Sequence, residues 1–238
     1  MKRTIGYREL SAVVLLVVVI AVLALPALRK AAQSSARNVC VNNLKQMGLV
    51  LKMYANESPG EKYPPVSRVR NNWIVDVNSI YPRYLNDLSI LMDPDSPFAN
   101  ENTFRSRSSG ELEPDCVSGV FYNYTGYLLT GDAQAVALLL TYELMDTNEF
   151  RALDHNLNIP IWKKNFGNSG LAVMWDRVPL VDSELSHRTP KGGNVLIMDG
   201  HVEFVEYSPF NNSSFFPMNR VGAETFGSVQ PKLPRHCF

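Results

Sequence analysis

Apolar and polar residues are divided unevenly along this chain. From Leu10 to Leu28 nineteen residues run almost wholly apolar and without charge, between Lys2, Arg3, Arg8 and Glu9 on one side and Arg29 and Lys30 on the other. At about 1.5 Å rise per residue they make a helix of roughly 28 Å, close to the hydrocarbon thickness of a bilayer. A secretory signal has a shorter apolar core of about 7–15 residues and ends at a small-residue cleavage site. Here Pro26-Ala27-Leu28-Arg29-Lys30 leads instead into more helix-compatible sequence. Residues 9–30 therefore read as a retained transmembrane anchor, with a cleaved signal as the alternative. Residues 1–8 form a short segment ahead of the anchor.

The helical pattern continues over 31–57. Cys40, Leu44, Met47, Leu51 and Tyr54 recur at spacings of four, three, four and three, which defines one helix face. Arg37, Asn42, Lys45, Gln46 and Lys52 are assigned to the other face, and Ser58-Pro59-Gly60 stops the helix. One helix from about Leu10 to Asn56 would be roughly 70 Å long, half in lipid and half packed on a head formed by residues 58–238.

In that head, Phe121 to Leu129 is aromatic and β-favouring and predicts a strand. Ala133 to Leu144 predicts a helix apolar nearly all round, hence buried, capped by Asp132 and belonging to a helical insertion over about 132–170. Thr147 to Asn158 is polar and predicts a short helix at most, and Trp162 to Asn168 reads as a basic loop. Asn194–Met198 and His201–Val205 are two strand-like runs joined by Asp199-Gly200, the pattern of a two-residue type I′ hairpin. The fold class expected is α+β, a long N-terminal helix packed on an antiparallel sheet.

The segment Glu9-Leu10-Ser11-Ala12 through Ile20 to Pro26-Ala27-Leu28 resembles the N-terminal segment of type IV pilins and of the pseudopilins of type II secretion, including the interval between glutamate and proline. That resemblance implies that Glu9 meets the free amino terminus of a neighbouring subunit and that the helix loosens near Pro26. On physical grounds alone, a carboxylate at the edge of a membrane helix is a functional candidate, with a solvated interfacial group beside Arg8 as the alternative. The family is cut after a glycine five residues before the glutamate. Counting back from Glu9 places Thr4 there and Ile5 first, whereas the glycine present, Gly6, is followed by Tyr7 and lies three residues before Glu9. Thr4, Ile5, Gly6 and Tyr7 are thus the candidates for processing by a prepilin peptidase.

Farther along, Cys40-Val41-Asn42-Asn43-Leu44-Lys45-Gln46-Met47-Gly48, Tyr81-Pro82-Arg83-Tyr84-Leu85, and His187 followed after eleven residues by Asp199-Gly200 resemble the pilin-like proteins of planctomycetes and verrucomicrobia. In that group the last spacer is usually nine residues. A Cys-Pro-x-Asp loop of the group stands here as Met92-Asp93-Pro94-Asp95, with Asp93 at the cysteine position. The resemblance implies a pilin-like fold and a non-enzymatic subunit that associates with other pilin-like subunits through its N-terminal helix. It also implies that residues 1–8 are a short cytoplasmic leader-like segment, and that the head is periplasmic or extracellular on the bacterial inner membrane.

Composition narrows the alternatives. Lys and Arg number 23 and so do Asp and Glu, so no basic field is available for nucleic acid. The three cysteines, Cys40, Cys116 and Cys237, lack metal-knuckle spacing. Cys40–Cys116 is the expected pair in an oxidising compartment, with Cys237 near a mobile terminus, and three free thiols remain the alternative. Asp93-Pro94-Asp95 is an ordinary turn or a weak calcium candidate, since calcium takes several oxygen ligands. No other cofactor is expected.

His187, Asp199 and His201 invite a metal or hydrolase reading. The sequence nevertheless has no Gly-x-Ser-x-Gly nucleophile and no His-Glu-x-x-His zinc pair. The structural reading has Asp199 accepting backbone hydrogen bonds in its own turn, and His187 pinning the Gly192-Gly193-Asn194 stretch to the Asp199-Gly200-His201 hairpin. Two functional alternatives to an assembly subunit stand. One is a monomeric membrane-tethered binding module that kept a pilin fold, and the other is a membrane-anchored hydrolase.

Overall fold

The computed structural model describes residues 7–59, 61–152, 170–181, 187, 188, 190–207, 216–227 and 231–238, with side chains from Val13 onward except at 29, 152 and 188. Helix α1 (Tyr7–Glu57) is continuous through Pro26, and its 51 residues make a rod of roughly 77 Å. Its first part stands clear of everything else: the large apolar side chains from Val13 to Leu28 are 46–71% exposed. The described helix is long and apolar enough to cross a membrane. Its second half is buried along Cys40, Leu44, Met47 and Leu51, the expected stripe, widened by Asn43, Val50 and Ala55, while Tyr54 is half-buried.

The head follows. After a short helix α2 (Val77–Ile80) come strand β1 (Tyr122–Leu129), helices α3 (Asp132–Leu144) and α4 (Thr147–Ala152), strands β2 (Ala172–Asp176), β3 (His187–Arg188), β4 (Lys191–Ile197) and β5 (Val202–Glu206), and helix α5 (Arg220–Gly222). The five strands form one antiparallel sheet, β1 against β2 and β2 against β4. Because β5 pairs with Gly192–Leu196 of β4, β2 and the two-residue β3 share the opposite edge of β4. This is the α+β arrangement, a helix on an antiparallel sheet, that the pattern predicts.

Both faces of the sheet are covered. Leu196 points to α1, whose Gly48 approaches so closely that a Cβ there would sit 3.1 Å from a Leu196 methyl. Val195 and Ile197 point the other way, to Ala135, Leu138 and Tyr142 of α3 and to Phe226. Such double coverage is why β2 and β4 are buried nearly throughout instead of on alternate residues.

Four expectations are corrected. Helix α3 is not buried all round: Ala135, Leu138 and Tyr142 face the core, whereas Val136, Leu140 and Leu144 are exposed. Its N-cap is Gly131, and the Asp132 carboxylate accepts from Asn219 Nδ2 (2.7 Å) instead of capping the helix. The disulfide joins Cys116 to Cys237, not Cys40 to Cys116. The C-terminus is held rather than mobile, because Ser106 bridges to Cys237, Arg107 Nε donates to the Cys237 carbonyl (2.7 Å), and the Phe238 amide donates to the Arg105 carbonyl (3.3 Å). Trp162 to Asn168 lies outside the described residues.

Candidate functional site

The His187-spacer-Asp199-Gly200 motif is laid out along β4 and divided between its two ends. His187 pairs with Gly192 in the β3–β4 ladder, while Asp199 lies beyond the far end of β4. With about 3.3 Å per residue, the stretch from Gly192 to Asp199 spans roughly 20 Å. His187 and Asp199 therefore do not form one reacting constellation.

At the near end, the glycines make room. A Cβ on Gly192 would overlap the Val205 carbonyl oxygen and the Phe204 ring, and one on Gly193 would meet Met218 Cε at 2.8 Å and Asp176 Cβ at 3.1 Å. The close approach brings a polar cluster together inside the head. Asp176 Oδ2 accepts from the Asn194 amide (2.6 Å) and from Asn194 Nδ2 (2.8 Å), and it lies 3.2 Å from His187 Nε2. Asp95 Oδ2 is 3.6 Å from His187 Nδ1. Alongside, the Cys40 thiol donates to Asp93 Oδ1 (3.0 Å), which also accepts the Asp95 amide (2.9 Å) and so closes the Asp93-Pro94-Asp95 turn. Cys40, Asp93, Asp176, His187 and Asn194 are all buried.

Burial sets the electrostatics. It pushes the Cys40 thiol far above its ordinary range, and the Asp176 and Asp93 charges push the same way. Asp176 is raised by burial against the pull of His187 and the Asn194 amide. For His187 burial alone would lower the value, but the Asp176 hydrogen bond and charge, with Asp93 and Asp95, raise it overall. Asn194 donates twice to Asp176 Oδ2, and its Nδ2 also lies 3.1 Å from His187 Nε2, so the three side chains form one buried polar network.

At the far end, the Ile197 amide donates to the His201 carbonyl (2.9 Å), the Gly200 amide donates to the Ile197 carbonyl (2.8 Å), and Gly200 has φ +102°. The loop is thus Met198-Asp199-Gly200, three residues with glycine at the left-handed position, not a two-residue type I′ turn with positive φ at Asp199 as well. Asp199 Oδ1 accepts the His201 amide (2.9 Å) and lies 2.6 Å from His201 Nδ1, all of it exposed. The amide and the nearby His201 hold the Asp199 carboxyl below the usual carboxylate range.

Two basic residues assigned to the polar face of α1 clamp this hairpin. Lys52 Nζ donates to the Asp199 carbonyl (2.7 Å), and the Arg37 guanidinium lies 4.2 Å from the centre of the Phe204 ring. Sequence reading missed Asp176 and the meeting of Cys40 with Asp93. The available signal for the second was Asp93 itself, an acid standing at a cysteine position of the resembled group while Cys40 remains.

Thiol nucleophilic chemistry does not suit this cluster, because an activated cysteine has a depressed pKa and Cys40 is pushed the other way. A cavity of about 250 Å³ beside the disulfide is lined by Phe98, Phe104, Cys116, Phe121 and Phe238, none of them in the motif. Ligand atoms of Cys40, Asp93 and His187 lie within 4.8 Å of one another, close enough for one metal ion. Those of Cys116, His236 and Cys237 also meet, but there both sulfurs are spent in the disulfide. Of the remaining sequence candidates, Pro26 sits in the exposed apolar half of α1, Thr4, Ile5 and Gly6 lie outside the described residues, and so do the side chains of Tyr7 and Glu9. Comparison of the chain with protein-family models, curated proteins and solved structures found no match.

Proposed function

We propose that this chain is a pilin-like subunit, a pseudopilin or minor pilin of a type II secretion or type IV pilus-like assembly, and that it works by assembly and not by catalysis. The observation that carries the reading is α1, one helix whose bare apolar first half suits a bilayer or neighbouring helices while its second half is built into the head. On this reading the first half sits in the inner membrane, Glu9 and Pro26 belong to the subunit contact, and the head lies outside the cytoplasm. The Cys116–Cys237 disulfide supports such a compartment.

The test is a cysteine at Leu16, which is 59% exposed, followed by oxidative crosslinking in membranes. The background is low, since Cys40 is buried and the other two cysteines are paired. A ladder of covalent oligomers is expected in cells that carry the assembly, and a lone monomer in those cells overturns the proposal. The monomeric tethered module is the second reading. Thr4 at the processing position and the apolar exposed side of α3 favour it, and an intact Met1 on the membrane-extracted protein would move it ahead.

A further inference from the structure

We infer that Cys40, Asp93 and His187 form a buried site for one divalent transition-metal ion, with zinc the ion that their donors suit best. A thiol from α1, a carboxylate from the loop at Asp93-Pro94-Asp95 and an imidazole from β3 are far apart in sequence, yet their ligand atoms converge within 4.8 Å inside the head. Coincidence of three such groups on an exposed surface would carry little weight. Here each is almost fully buried, where polar side chains are costly unless partnered.

The hydrogen bonds around the cluster are lopsided. Asp93 Oδ1 and Asp176 Oδ2 are crowded with donors, whereas Asp93 Oδ2, Asp176 Oδ1 and Asn194 Oδ1 are buried with no hydrogen-bond partner among the described residues. Buried oxygens left without a donor are costly, so three in one neighbourhood point to a missing electrophile. Asp93 is the sharpest case, since the carboxylate that takes the Cys40 thiol on one oxygen leaves its other oxygen buried and open.

The donors also select the ion. Calcium and magnesium take oxygen ligands, whereas thiolate with imidazole and carboxylate suits zinc and its transition-metal neighbours. Whichever ring nitrogen of His187 binds the metal, the other faces a carboxylate, Asp176 at Nε2 or Asp95 at Nδ1. That is the outer partner which metal-bound histidines usually have. Asp95, its side chain 30% exposed, places the cluster next to solvent. Binding exchanges the Cys40 thiol proton for the cation, and that proton passes to solvent.

The site is independent of the assembly reading and is tested on the full chain in detergent, chelator-stripped and with its disulfide intact, by titration with cobalt(II). The expected result is saturation at one equivalent with a thiolate-to-cobalt charge-transfer band, and displacement of the cobalt by zinc. Cys40→Ser abolishes the band and Asp93→Asn weakens binding at least tenfold, whereas His201→Ala changes neither. Should the buried variants fail to fold, the wild-type spectrum still decides, because Cys40 is the one cysteine outside the disulfide. Absence of the band at excess cobalt overturns the proposal, and so does a band that survives Cys40→Ser.

Discussion

The two ends of β4 make a controlled comparison, because one sequence motif supplies both. At the near end, His187, Asp176 and Asn194 are locked together out of contact with water, on a floor of two glycines that leaves no room for a Cβ. At the far end, Asp199 and His201 make equally short hydrogen bonds, but in solvent and within a turn of three residues. Residue types and distances are alike, and the surroundings differ. A hydrogen-bonded carboxylate inside the head holds strands β2, β3 and β4 in register, while one on the hairpin tip shapes its own loop.

The largest effect expected follows from removing the buried acid. Asp176→Ala takes the shared acceptor from the Asn194 amide, from Asn194 Nδ2 and from His187 Nε2. Breaking a buried pair from one side costs about 3–5 kcal/mol. Urea unfolding of the chelator-treated chain in detergent measures it, and a loss below about 1 kcal/mol would erase the distinction between the two ends.

Glycine substitutions sharpen the comparison next. Gly192→Ala drives a methyl into the backbone of β5, and its cost falls at the upper end of the roughly 1–3 kcal/mol typical of overpacking. At Gly200 the obstacle is the positive φ together with Lys52 Nζ at 2.9 Å, the movable end of a flexible side chain. Gly200→Ala should cost only about 1–2 kcal/mol, mostly for the left-handed backbone. Melting temperatures of the two variants in one detergent give the order directly, and Gly200→Ala proving the worse would reverse it.

How much of this was legible in the sequence depends on range. Helix α1, strand β1 and helix α3 are local patterns, written in spacings of three and four for α1 and in local composition for β1 and α3, and the structure has them within a few residues. The partners of Cys40, Cys116 and Cys237 are not local. The C-terminus is tied down by bonds to Arg105 and Arg107, which no period along the chain announces. Asp176 ends a strand of apolar residues, where an acid reads as a strand terminator. Its role appears only once β3 and β4 fold back beside it. The hairpin was visible, but Asp-Gly alone does not distinguish a two-residue loop from a three-residue one, since both place glycine at positive φ.

The two ends also separate by pH. His187 is raised above its ordinary value of roughly 6.5, so its contribution is full below that pH and is lost as pH rises through the higher folded-state value. Asp199 is lowered, so its contribution is present above about 3.9 and is lost as pH falls through its folded value. In the chelator-treated chain, stability should decline from near-neutral pH upward, and His187→Gln should flatten that limb alone. Saturating zinc should reverse the slope there, because metal binding releases protons.

The smallest effect expected is that of Asp199→Ala. The substitution removes the acceptor for the His201 amide and for the His201 ring, yet both side chains are largely open, 36% for Asp199 and 45% for His201. Water replaces the lost acceptor, and solvent screens the ion pair, so less than about 1 kcal/mol is expected. The clamp from Lys52 survives, because Lys52 donates to the Asp199 main-chain carbonyl and not to its carboxylate. A thermal melt therefore shifts little beside that of Asp176→Ala, and cobalt binding at the other end of β4 stays unchanged. If instead Asp199→Ala lowered stability as much as Asp176→Ala and weakened the metal site too, the strand would be transmitting strain from turn to cluster. The motif would then act as one unit across roughly 20 Å, in spite of its division between water and core.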